Sequence, residues 1–421
     1  MITADQFDAL LEATKLVLRF TYPADSVLKH FFREQRRLGP KDRALIAETV
    51  YTLLRRRLFL QHLAKGTESP RLLLLIALTK LLGVGVKELG PVTRPHERAL
   101  LNGILEANTD HFPLPVETDL PDWLIQMYMK NHSRSELLDL AHGLQQPAPL
   151  DLRVNTMHTN RATVLATLQV EGIEATITPH SPLGLRLVGK PALQKHPLLV
   201  NGHVEVQDEG SQLLGLLLAP KRNEMVVDFC AGAGGKTLLL GALMHSTGRL
   251  YAFDVSEKRL QNLKPRLKRS GLSNVQPVRI EHENDARIKR LARKIDRVLV
   301  DAPCSGLGTL RRNPDLKWRQ SPKAVQELNA KQTAILAGAA RLLKPGGRLV
   351  YATCSLLASE NEAVCEAFEA DHPGFERQAV DRVLAELKVA NATTLTMAGN
   401  LRLWPHLHAT DGFFAAIWAK A

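Results

Sequence analysis

The 421-residue sequence predicts an α/β domain built on a mainly parallel sheet covered on both faces, preceded by a small α+β module and an N-terminal all-α bundle. Three observations support this fold class. Apolar residues recur every three or four positions through the first 145 residues, which is the helical period. Short alternating segments follow, and after residue 210 strands alternate with helices, which favours a parallel sheet. The predicted domains are residues 1–145, 146–210 and 211–421.

Composition excludes several classes of protein. Hydrophobic residues make up 45% of the chain and charged residues 23%, which is the mixture of a globular protein rather than a disordered or collagen-like one. The longest purely apolar run, residues 72–78, is far shorter than the ~20 residues that cross a bilayer. The first residues lack the basic stretch of an export signal. We therefore expect a cytoplasmic protein with no membrane association.

Charge and cysteine content indicate the kind of partner. Lys and Arg number 55 against 43 Asp and Glu, so the net charge is +12, which favours a polyanion such as nucleic acid. A protein whose basic residues are spread over a solvated surface would have the same net charge. No CxxC pair or His/Cys cluster has the spacing of a zinc site, so neither a structural metal nor a disulfide is expected.

The N-terminal region is predicted to be helical and basic. Helices are predicted over residues 9–19, 43–60, 72–82 and 97–108. The basic residues of this region are Arg33, Arg36, Arg37, Lys41 and Arg43, which lie close together, and Arg55, Arg56 and Arg57 on one predicted helix. Such runs are typical of a solvated face as well as of a surface that binds nucleic acid, so both interpretations stay open.

The small module is predicted from short alternating segments. Its strands are expected over residues 150–154, 175–178, 185–188 and 203–206, with a helix over 161–170. Residues 207–211 are predicted to join it to the next domain. The strands of the large sheet are predicted over residues 225–229, 250–254, 276–280, 298–301 and 348–353, with a last pair at 401–404 and 413–418. Because ligands bind beyond the carboxyl ends of such strands, the residues that follow each strand are the candidates for a site.

A glycine-rich turn follows the first of these strands. Its glycines let the backbone approach a ligand and direct the free amides of the next helix toward negative charge. Three ligand classes compete for it. A dinucleotide fingerprint needs glycine where Thr237 stands, and a phosphate loop needs glycine where Cys230 stands. The third class is S-adenosylmethionine, for which Asp254 at the end of the next strand offers a ribose acceptor, although a strand-end aspartate is also a common helix cap.

Further candidates follow the third, fourth and fifth strands. Asp285 is positioned to accept from an adenine amine or to be a solvated turn acid. Since the fourth and fifth strands should be neighbours, Asp301, Cys304 and Cys354 are expected to converge beside the cofactor. A lone cysteine at a strand end is usually a buried structural thiol, which is the interpretation for Cys230 and Cys365.

Two thiols and a carboxylate suit the methylation of a pyrimidine at carbon 5. That carbon is too poor a nucleophile to be methylated unaided, and addition of a thiolate to carbon 6 activates it. A carboxylic acid at Asp301 would stabilise charge on ring nitrogen 3. The second thiol would help remove the proton from carbon 5. Spacing alone does not say which thiol attacks.

Several motifs resemble the Nop2/Sun family of RNA cytosine-5 methyltransferases. They are Gly-Gly-Lys-Thr (234–237), Asp-Ala-Pro-Cys-Ser-Gly (301–306), Arg-Arg-Asn-Pro-Asp-Leu-Lys-Trp (311–318) and Thr-Cys-Ser (353–355), with weaker blocks at 207–211, 404–406 and 411–414. Residues 38–43, Leu-Gly-Pro-Lys-Asp-Arg, and the helices around them resemble the antitermination-factor-like RNA-binding domain of the bacterial RsmB branch, which modifies 16S ribosomal RNA.

The resemblance implies a Rossmann-like S-adenosylmethionine-dependent methyltransferase domain and specific roles for its residues. It makes Cys354 the nucleophile and Cys304 the residue that assists release, whereas DNA cytosine methyltransferases use the Pro-Cys thiol. It places the following residues around the cofactor: Cys230, Ala231, Gly232, Ala233, Gly234, Gly235, Lys236, Asp254, Asp285 and Asp301. The family usually has Ala-Pro where this chain has Gly232-Ala233, so a less rigid turn is expected.

The same resemblance suggests RNA contacts and a substrate. Arg311, Arg312 and Lys317 are predicted to touch RNA phosphates, although a basic loop is often only solvated, and Trp318 is predicted to be core. Lys236 would either neutralise a carboxylate in the cleft or be solvated. The predicted enzyme is a monomer that forms 5-methylcytosine in unpaired or flipped-out 16S RNA. The alternatives are a P-loop nucleotide hydrolase and a non-catalytic RNA-binding assembly factor.

Overall fold

The computed structural model describes residues 2–106 and 111–421, which form two compact units. One unit ends at Pro147 and includes the later segment Thr309–Pro322, and the other comprises Ala148–Gly308 and Lys323–Ala421. Within the described residues, no helix is both long and apolar enough to cross a membrane.

The first unit is helical, as predicted. Its helices in the N-terminal region are Ala4–Val17, Ala24–Glu34, Pro40–Arg55, Arg57–Leu63, Pro70–Ile76, Pro95–Glu106, Leu114–Thr118, Asp122–Tyr128 and Arg134–Gln145, with a π-helical turn at Ala77–Leu81. Local sequence sets their starts. Thr3 Oγ1 accepts from the Gln6 amide while the Gln6 side chain accepts from the Thr3 amide, a reciprocal cap. Apolar side chains such as Phe7, Leu10 and Leu54 fill the core of this unit.

Two expectations for this region are corrected. The helix predicted over residues 43–60 is two helices, because Arg56 leaves the helical conformation at φ −112° and ψ 31°. Arg55, Arg56 and Arg57 therefore do not share one helix. The helix predicted over 97–108 is observed as Pro95–Glu106, and its last two predicted residues lie outside the described residues.

The basic segment of residues 311–318 belongs to the helical unit. Lys317 is 4% exposed, and its Nζ donates to the carbonyls of Arg55 at 2.8 Å and Asp119 at 2.6 Å. Burial lowers the pKa of Lys317 to about 8. Arg311 is 5% exposed. The predicted phosphate contacts are therefore wrong for Lys317 and Arg311, because both side chains lie inside the unit. Trp318 is half-buried there, and its indole Nε1 donates to the Leu54 carbonyl at 3.1 Å.

The small module is a four-stranded antiparallel sheet with one main helix. Its strands are β1 (Leu150–Val154), β2 (Ala175–Ile177), β3 (Gly184–Leu187) and β4 (Val204–Val206), in the order β2-β3-β1-β4. The helix Arg161–Val170 starts where the Asn160 side chain accepts from the Thr163 amide at 3.0 Å. A short helix at Pro197–Val200 precedes β4. The predicted elements are confirmed to within a residue at each end.

Residues 207–211, predicted to join the module to the next domain, are largely helical. Asp208 Oδ1 accepts from the Gly210 amide at 2.8 Å and caps the buried helix Glu209–Leu218. This helix lies in the same compact unit as the module and the large sheet.

The large sheet contains the parallel strands expected of an α/β fold. Its strands are β5 (Met225–Asp228), β6 (Arg249–Asp254), β7 (Val275–Arg279), β8 (Ile295–Asp301), β9 (Leu343–Thr353), β10 (Phe375–Gln378), β11 (Thr396–Met397), β12 (Asn400–Leu403) and β13 (Phe413–Lys420). The order is β11-β12-β13-β9-β8-β5-β6-β7, and β10 pairs with β13. Strands β5 to β9 pair in parallel, and β13 runs antiparallel to β9.

Helices connect the parallel strands. They are Gly235–Leu243, Glu257–Ser270, Ala286–Lys289, Leu316–Arg319 and Pro322–Ala340, followed by Glu362–Asp371, Val380–Glu386 and Pro405–His408. Strands β8 and β9 are neighbours, with Asp301 opposite Ala352 in the register. The residues that follow β5, β6, β8 and β9 therefore share one edge of the sheet.

Candidate active site

The glycine turn after β5 has a backbone that only glycine adopts easily. Gly232 and Gly234 have φ of +57° and +84°. A Cβ at position 234 would also lie 2.1 Å from Leu263 Cδ1. The turn is closed by a hydrogen bond from the Gly234 amide to the Ala231 carbonyl at 2.8 Å.

Asp254 joins this turn to the end of β6. Its Oδ2 accepts from the Gly232 amide at 2.8 Å, and its Oδ1 accepts from the Ser256 amide at 2.7 Å. The following helix is capped by the side chain of Ser256. Asp254 therefore links the end of β6 to the turn that follows β5. The sequence also allowed Asp254 to be the helix cap, but Ser256 has that role.

A cavity of about 690 Å³ opens at this edge of the sheet. Its volume lies in the range of small-molecule sites. The predicted site residues that line it are Cys230, Ala231, Gly232, Ala233, Gly235, Lys236, Asp254, Asp301, Cys304 and Cys354. Most of the predicted site is thus brought together.

Two predicted cofactor residues do not line this cavity. Gly234 faces Leu263. Asp285 caps the helix Ala286–Lys289, accepting from the amides of Arg287 at 2.8 Å and Glu281 at 3.0 Å. These backbone hydrogen bonds lower the pKa of Asp285. Its neighbours Glu281 to Glu283 line the cavity, so Asp285 shapes the cavity wall through its hydrogen bond to Glu281.

Lys236 and Asp301 form an ion pair inside the cavity. Lys236 Nζ lies 2.7 Å from Asp301 Oδ2, and only 11% of the Lys236 side chain is exposed. Burial alone would lower the pKa of Lys236, but the charge and hydrogen bond of Asp301 outweigh it and raise the pKa. Of the two predicted roles of Lys236, the structure therefore supports neutralising a carboxylate in the cleft and not a solvated side chain.

The thiols of Cys304 and Cys354 meet beside this ion pair. Their Sγ atoms lie 3.4 Å apart, and neither thiol is fully buried. The hydrogen bond with Cys354, together with burial, raises the pKa of Cys304 well above its usual value. Cys230 also lines the cavity, and burial raises its pKa. Cys365 is fully buried, as predicted.

A buried carboxylate that sequence reasoning missed supports both thiol loops. Glu360 has no exposed surface. Its Oε1 accepts from the Ser305 amide at 2.8 Å and from Gln332 Nε2 at 3.0 Å. Its Oε2 accepts from the hydroxyls of Ser305 and Ser355. Because Ser305 follows Cys304 and Ser355 follows Cys354, one side chain fixes the two loops relative to each other.

Comparison with known proteins identifies the family. The sequence-family model described as 16S rRNA methyltransferase RsmB/F matches residues 215–419. The family model of an RsmF/B-like ferredoxin-like domain matches residues 120–194. A probable ribosomal RNA small subunit methyltransferase B from Synechocystis is 32% identical over 417 residues, which cover 91% of this chain and 92% of the relative. The chain belongs to the RsmB/F family of 16S rRNA methyltransferases.

Solved structures share the fold of this RsmB/F family member. The crystal structure of PH0851 has a TM-score of 0.81 and 27% identity, covering 100% of this chain and 99% of that chain. NSun6 from Pyrococcus horikoshii, solved with SFG, has a TM-score of 0.62 and 22% identity, covering 71% of this chain and 98% of that chain. The protein is an S-adenosylmethionine-dependent rRNA methyltransferase.

The cavity fits the cofactor of the RsmB/F family. Asp228, a further residue that sequence reasoning missed, is 1% exposed, and its Oδ1 has no hydrogen-bond partner although its Oδ2 accepts from Thr237 Oγ1 at 2.7 Å. Burial raises the pKa of Asp228 to about 7. An unpaired buried oxygen in a cavity wall needs a donor, and the ammonium of S-adenosylmethionine is one. The position of Asp228 directly before the glycine turn was the signal available in the sequence.

Proposed function

We propose that this rRNA methyltransferase forms 5-methylcytosine in 16S rRNA through a transient bond between Cys354 and carbon 6 of the target base. The observation that carries the proposal is the pair of thiols 3.4 Å apart in the cavity, beside the Lys236–Asp301 ion pair. The name of the family supplies the 16S substrate class.

The cofactor would be held by the glycine turn and by the carboxylates at the ends of β5 and β6, namely Asp228 and Asp254. When bound, S-adenosylmethionine supplies an electrophilic methyl group. Residues 281–283, positioned by Asp285, form the wall beyond β7. These residues orient the donor and exclude water from the reacting edge of the base.

The chemistry of cytosine explains why a thiol is required. The Cys354 thiolate adds to carbon 6, and the electrons of the 5,6 double bond move to carbon 5, which becomes enamine-like. Carbon 5 can then take the methyl group, while the electrons of the broken methyl–sulfur bond stay on the donor sulfur. After methylation, the proton on carbon 5 leaves, the 5,6 double bond re-forms, and the bond from sulfur to carbon 6 breaks. Thiolate is regenerated, so the residues return to their starting state.

The surroundings of the two sulfurs favour Cys354 as the nucleophile. The hydrogen bond with Cys354, burial and the charge of Glu360 together raise the pKa of Cys304, which disfavours a thiolate at Cys304. The buried ammonium of Lys236, whose pKa is raised in part by the charge of Cys354, stabilises negative charge on that sulfur. This assignment agrees with the family roles inferred from the Thr-Cys-Ser and Pro-Cys motifs.

Release of the product would use the other thiol. The raised pKa of Cys304 depends on its hydrogen bond to Cys354 and on the charge of Cys354. Once Cys354 is bonded to carbon, that charge disappears, so Cys304 becomes more acidic and can release its proton to solvent. The resulting thiolate can take the proton from carbon 5, which restores the Cys304 thiol.

The Lys236–Asp301 pair is placed to stabilise the charge that the base acquires. Lys236 Nζ donates to Asp301 Oδ2, and this pair can present a proton to ring nitrogen 3 as electron density moves into the ring. A stacked base hides carbon 6, so the target is expected to be unpaired or flipped out. Arg33, Arg36, Arg37 and Lys41 are exposed, and we propose that they contact RNA phosphates, although the sequence left a solvated face equally open.

Methylation of unmodified 16S RNA with labelled S-adenosylmethionine tests the proposal. We expect label on cytosine carbon 5 for the wild type, almost no turnover for Cys354→Ala, and a covalent protein–RNA complex that accumulates for Cys304→Ala. Cys365→Ala is the matched control, because this thiol is buried away from the cavity, and it should react at the wild-type rate.

The possible results separate the alternatives. Normal methylation by Cys354→Ala would show that the nucleophile is assigned wrongly. Label on another atom of the RNA would refute cytosine-5 chemistry. An absence of methyl transfer by the wild type, with retained RNA binding, would refute the proposed reaction on isolated 16S RNA.

A further inference from the structure

The backbone of the glycine turn is restrained by groups outside the turn. The Ala233 carbonyl accepts from Arg266 Nη1 at 2.6 Å. Two residues later the Gly235 carbonyl accepts from Arg153 Nη1, also at 2.6 Å. Two arginines from outside the turn therefore fix the directions of two of its peptide groups.

Arg266 is itself held by a buried carboxylate. Its Nε and Nη2 donate to Glu205 Oε2 at 3.2 and 2.8 Å, and Glu205 is 4% exposed. The other oxygen of Glu205 accepts from Nε and Nη2 of Arg269 at 3.1 and 2.8 Å. Glu205 lies on β4 of the small module, directly opposite Arg153 of β1 in the strand register. The carboxylate thus orients one guanidinium whose remaining nitrogen reaches the turn.

We infer that Arg266 is a positioning residue for the cofactor, which it serves by holding the peptide of Ala233. A proline at position 233 would restrict the turn through its fixed φ. Arg266 restricts the same peptide through a charge-assisted hydrogen bond to its carbonyl. Because Glu205 orients Arg266, the shape of the cofactor turn depends on a strand of the small module. The inference rests on the proposed location of S-adenosylmethionine over this turn.

Affinity for S-adenosylhomocysteine, measured by calorimetry, tests this role. The loss of one hydrogen bond from a charged donor predicts that Arg266→Ala binds ~10-fold more weakly than wild type. In Arg266→Ala/Ala233→Pro, proline replaces the missing restraint, and affinity should return to within ~3-fold of wild type. Ala233→Pro alone should change affinity little, because the peptide is already held.

Arg269→Ala is the matched control. Arg269 donates two hydrogen bonds to Glu205, as Arg266 does, but it is Arg266 that also reaches the turn. If the contact to Ala233 is what matters, Arg269→Ala should bind S-adenosylhomocysteine within ~2-fold of wild type. Arg266→Lys keeps the positive charge, but an ammonium cannot hold Glu205 and Ala233 in one planar fork. This variant should therefore bind S-adenosylhomocysteine as weakly as Arg266→Ala.

Amide hydrogen exchange of the cofactor-free protein gives a second readout. Exchange at residues 231–236 should accelerate in Arg266→Ala and slow again in the double variant. Wild-type affinity and exchange in Arg266→Ala would overturn the inference. Equal weakening by Arg269→Ala, or no rescue by proline, would also overturn it, because the network would then only stabilise the module. Failure of the wild type to bind S-adenosylhomocysteine would refute the proposed cofactor site itself.

Discussion

A methyl group at position 308 would collide with the backbone that carries Cys354. The Cβ of an alanine there would lie 2.0 Å from the Gly412 carbonyl oxygen and 2.9 Å from that of Cys354. Since ordinary contacts begin near 3.4 Å, the Gly412 carbonyl must move by the difference, about 1.4 Å. Both neighbours are backbone atoms, so no side-chain rotation can relieve the overlap.

The cost of Gly308→Ala follows from the bonds that this movement breaks. The Gly308 amide donates to the Cys354 carbonyl at 2.8 Å, and the Gly412 amide donates to the Gly308 carbonyl at 2.8 Å. Breaking these two hydrogen bonds costs about 1 kcal/mol of stability for each bond, and overpacking adds ~1–3 kcal/mol. We therefore expect the free energy of unfolding to fall by about 3–5 kcal/mol. The Cys354 carbonyl, at 2.9 Å, must move by about 0.5 Å, and a shift of this size beside the thiol should lower kcat ~10-fold.

Urea denaturation and methyl transfer, measured on the same preparations, check these values. The control is Gly103→Ala, because Gly103 lies in the helix Pro95–Glu106 and a Cβ there meets no atom within 4 Å. That variant should be up to ~1 kcal/mol more stable than wild type and fully active. A Gly308→Ala protein with wild-type stability and kcat would show that the two loops are not held as tightly as their contacts imply.

Two further predictions concern buried carboxylates near the cavity. Glu360→Gln should lower kcat ~10-fold with little change in cofactor affinity, because its amide nitrogen cannot accept from Ser305 or Ser355. The control Glu362→Gln, at a half-exposed neighbouring residue, should react at the wild-type rate. Reduced cofactor affinity with unchanged kcat in Glu360→Gln would contradict this prediction. Affinity for S-adenosylmethionine should rise from pH 6 to pH 8, because burial raises the pKa of Asp228 to about 7 and a cation binds only the deprotonated form. Calorimetry of Asp228→Asn should show a flat profile over that range, and an unchanged slope would assign the titration to another group.

Much of the fold could be predicted because its elements carry strong local signals. Strands β5, β6 and β8 are buried apolar segments that end at turn residues, and each was predicted to within a few residues. Strands β10 and β11 are short and partly exposed, so their sequences lack the alternation that marks a strand. The break at Arg56 was missed because arginine is a good helix former, and the tertiary contacts that interrupt the helix are not local.

The site was predictable where chain topology alone brings residues together. Asp254 and Asp301 end β6 and β8, whereas Cys304 and Cys354 follow β8 and β9, and a parallel sheet places such residues at one edge. Lys317 shows the limit of this reasoning. In the sequence it is a basic residue that could contact RNA, whereas in the structure its ammonium is buried and donates to two backbone carbonyls. Those acceptors come from Arg55 and Asp119, about 200 or more residues away along the chain, and no local pattern encodes them.

The choice between the two thiols illustrates the same limit at atomic scale. Cys304 and Cys354 both follow buried strands of one sheet, and both are succeeded by a serine that binds Glu360. Their sequence contexts are therefore nearly equivalent. Their charges are not, because the ammonium of Lys236 stabilises a thiolate at Cys354 while the carboxylate of Glu360 opposes one at Cys304. Under the proposed mechanism, the roles of the two thiols would therefore follow from the charges around them rather than from their sequence motifs.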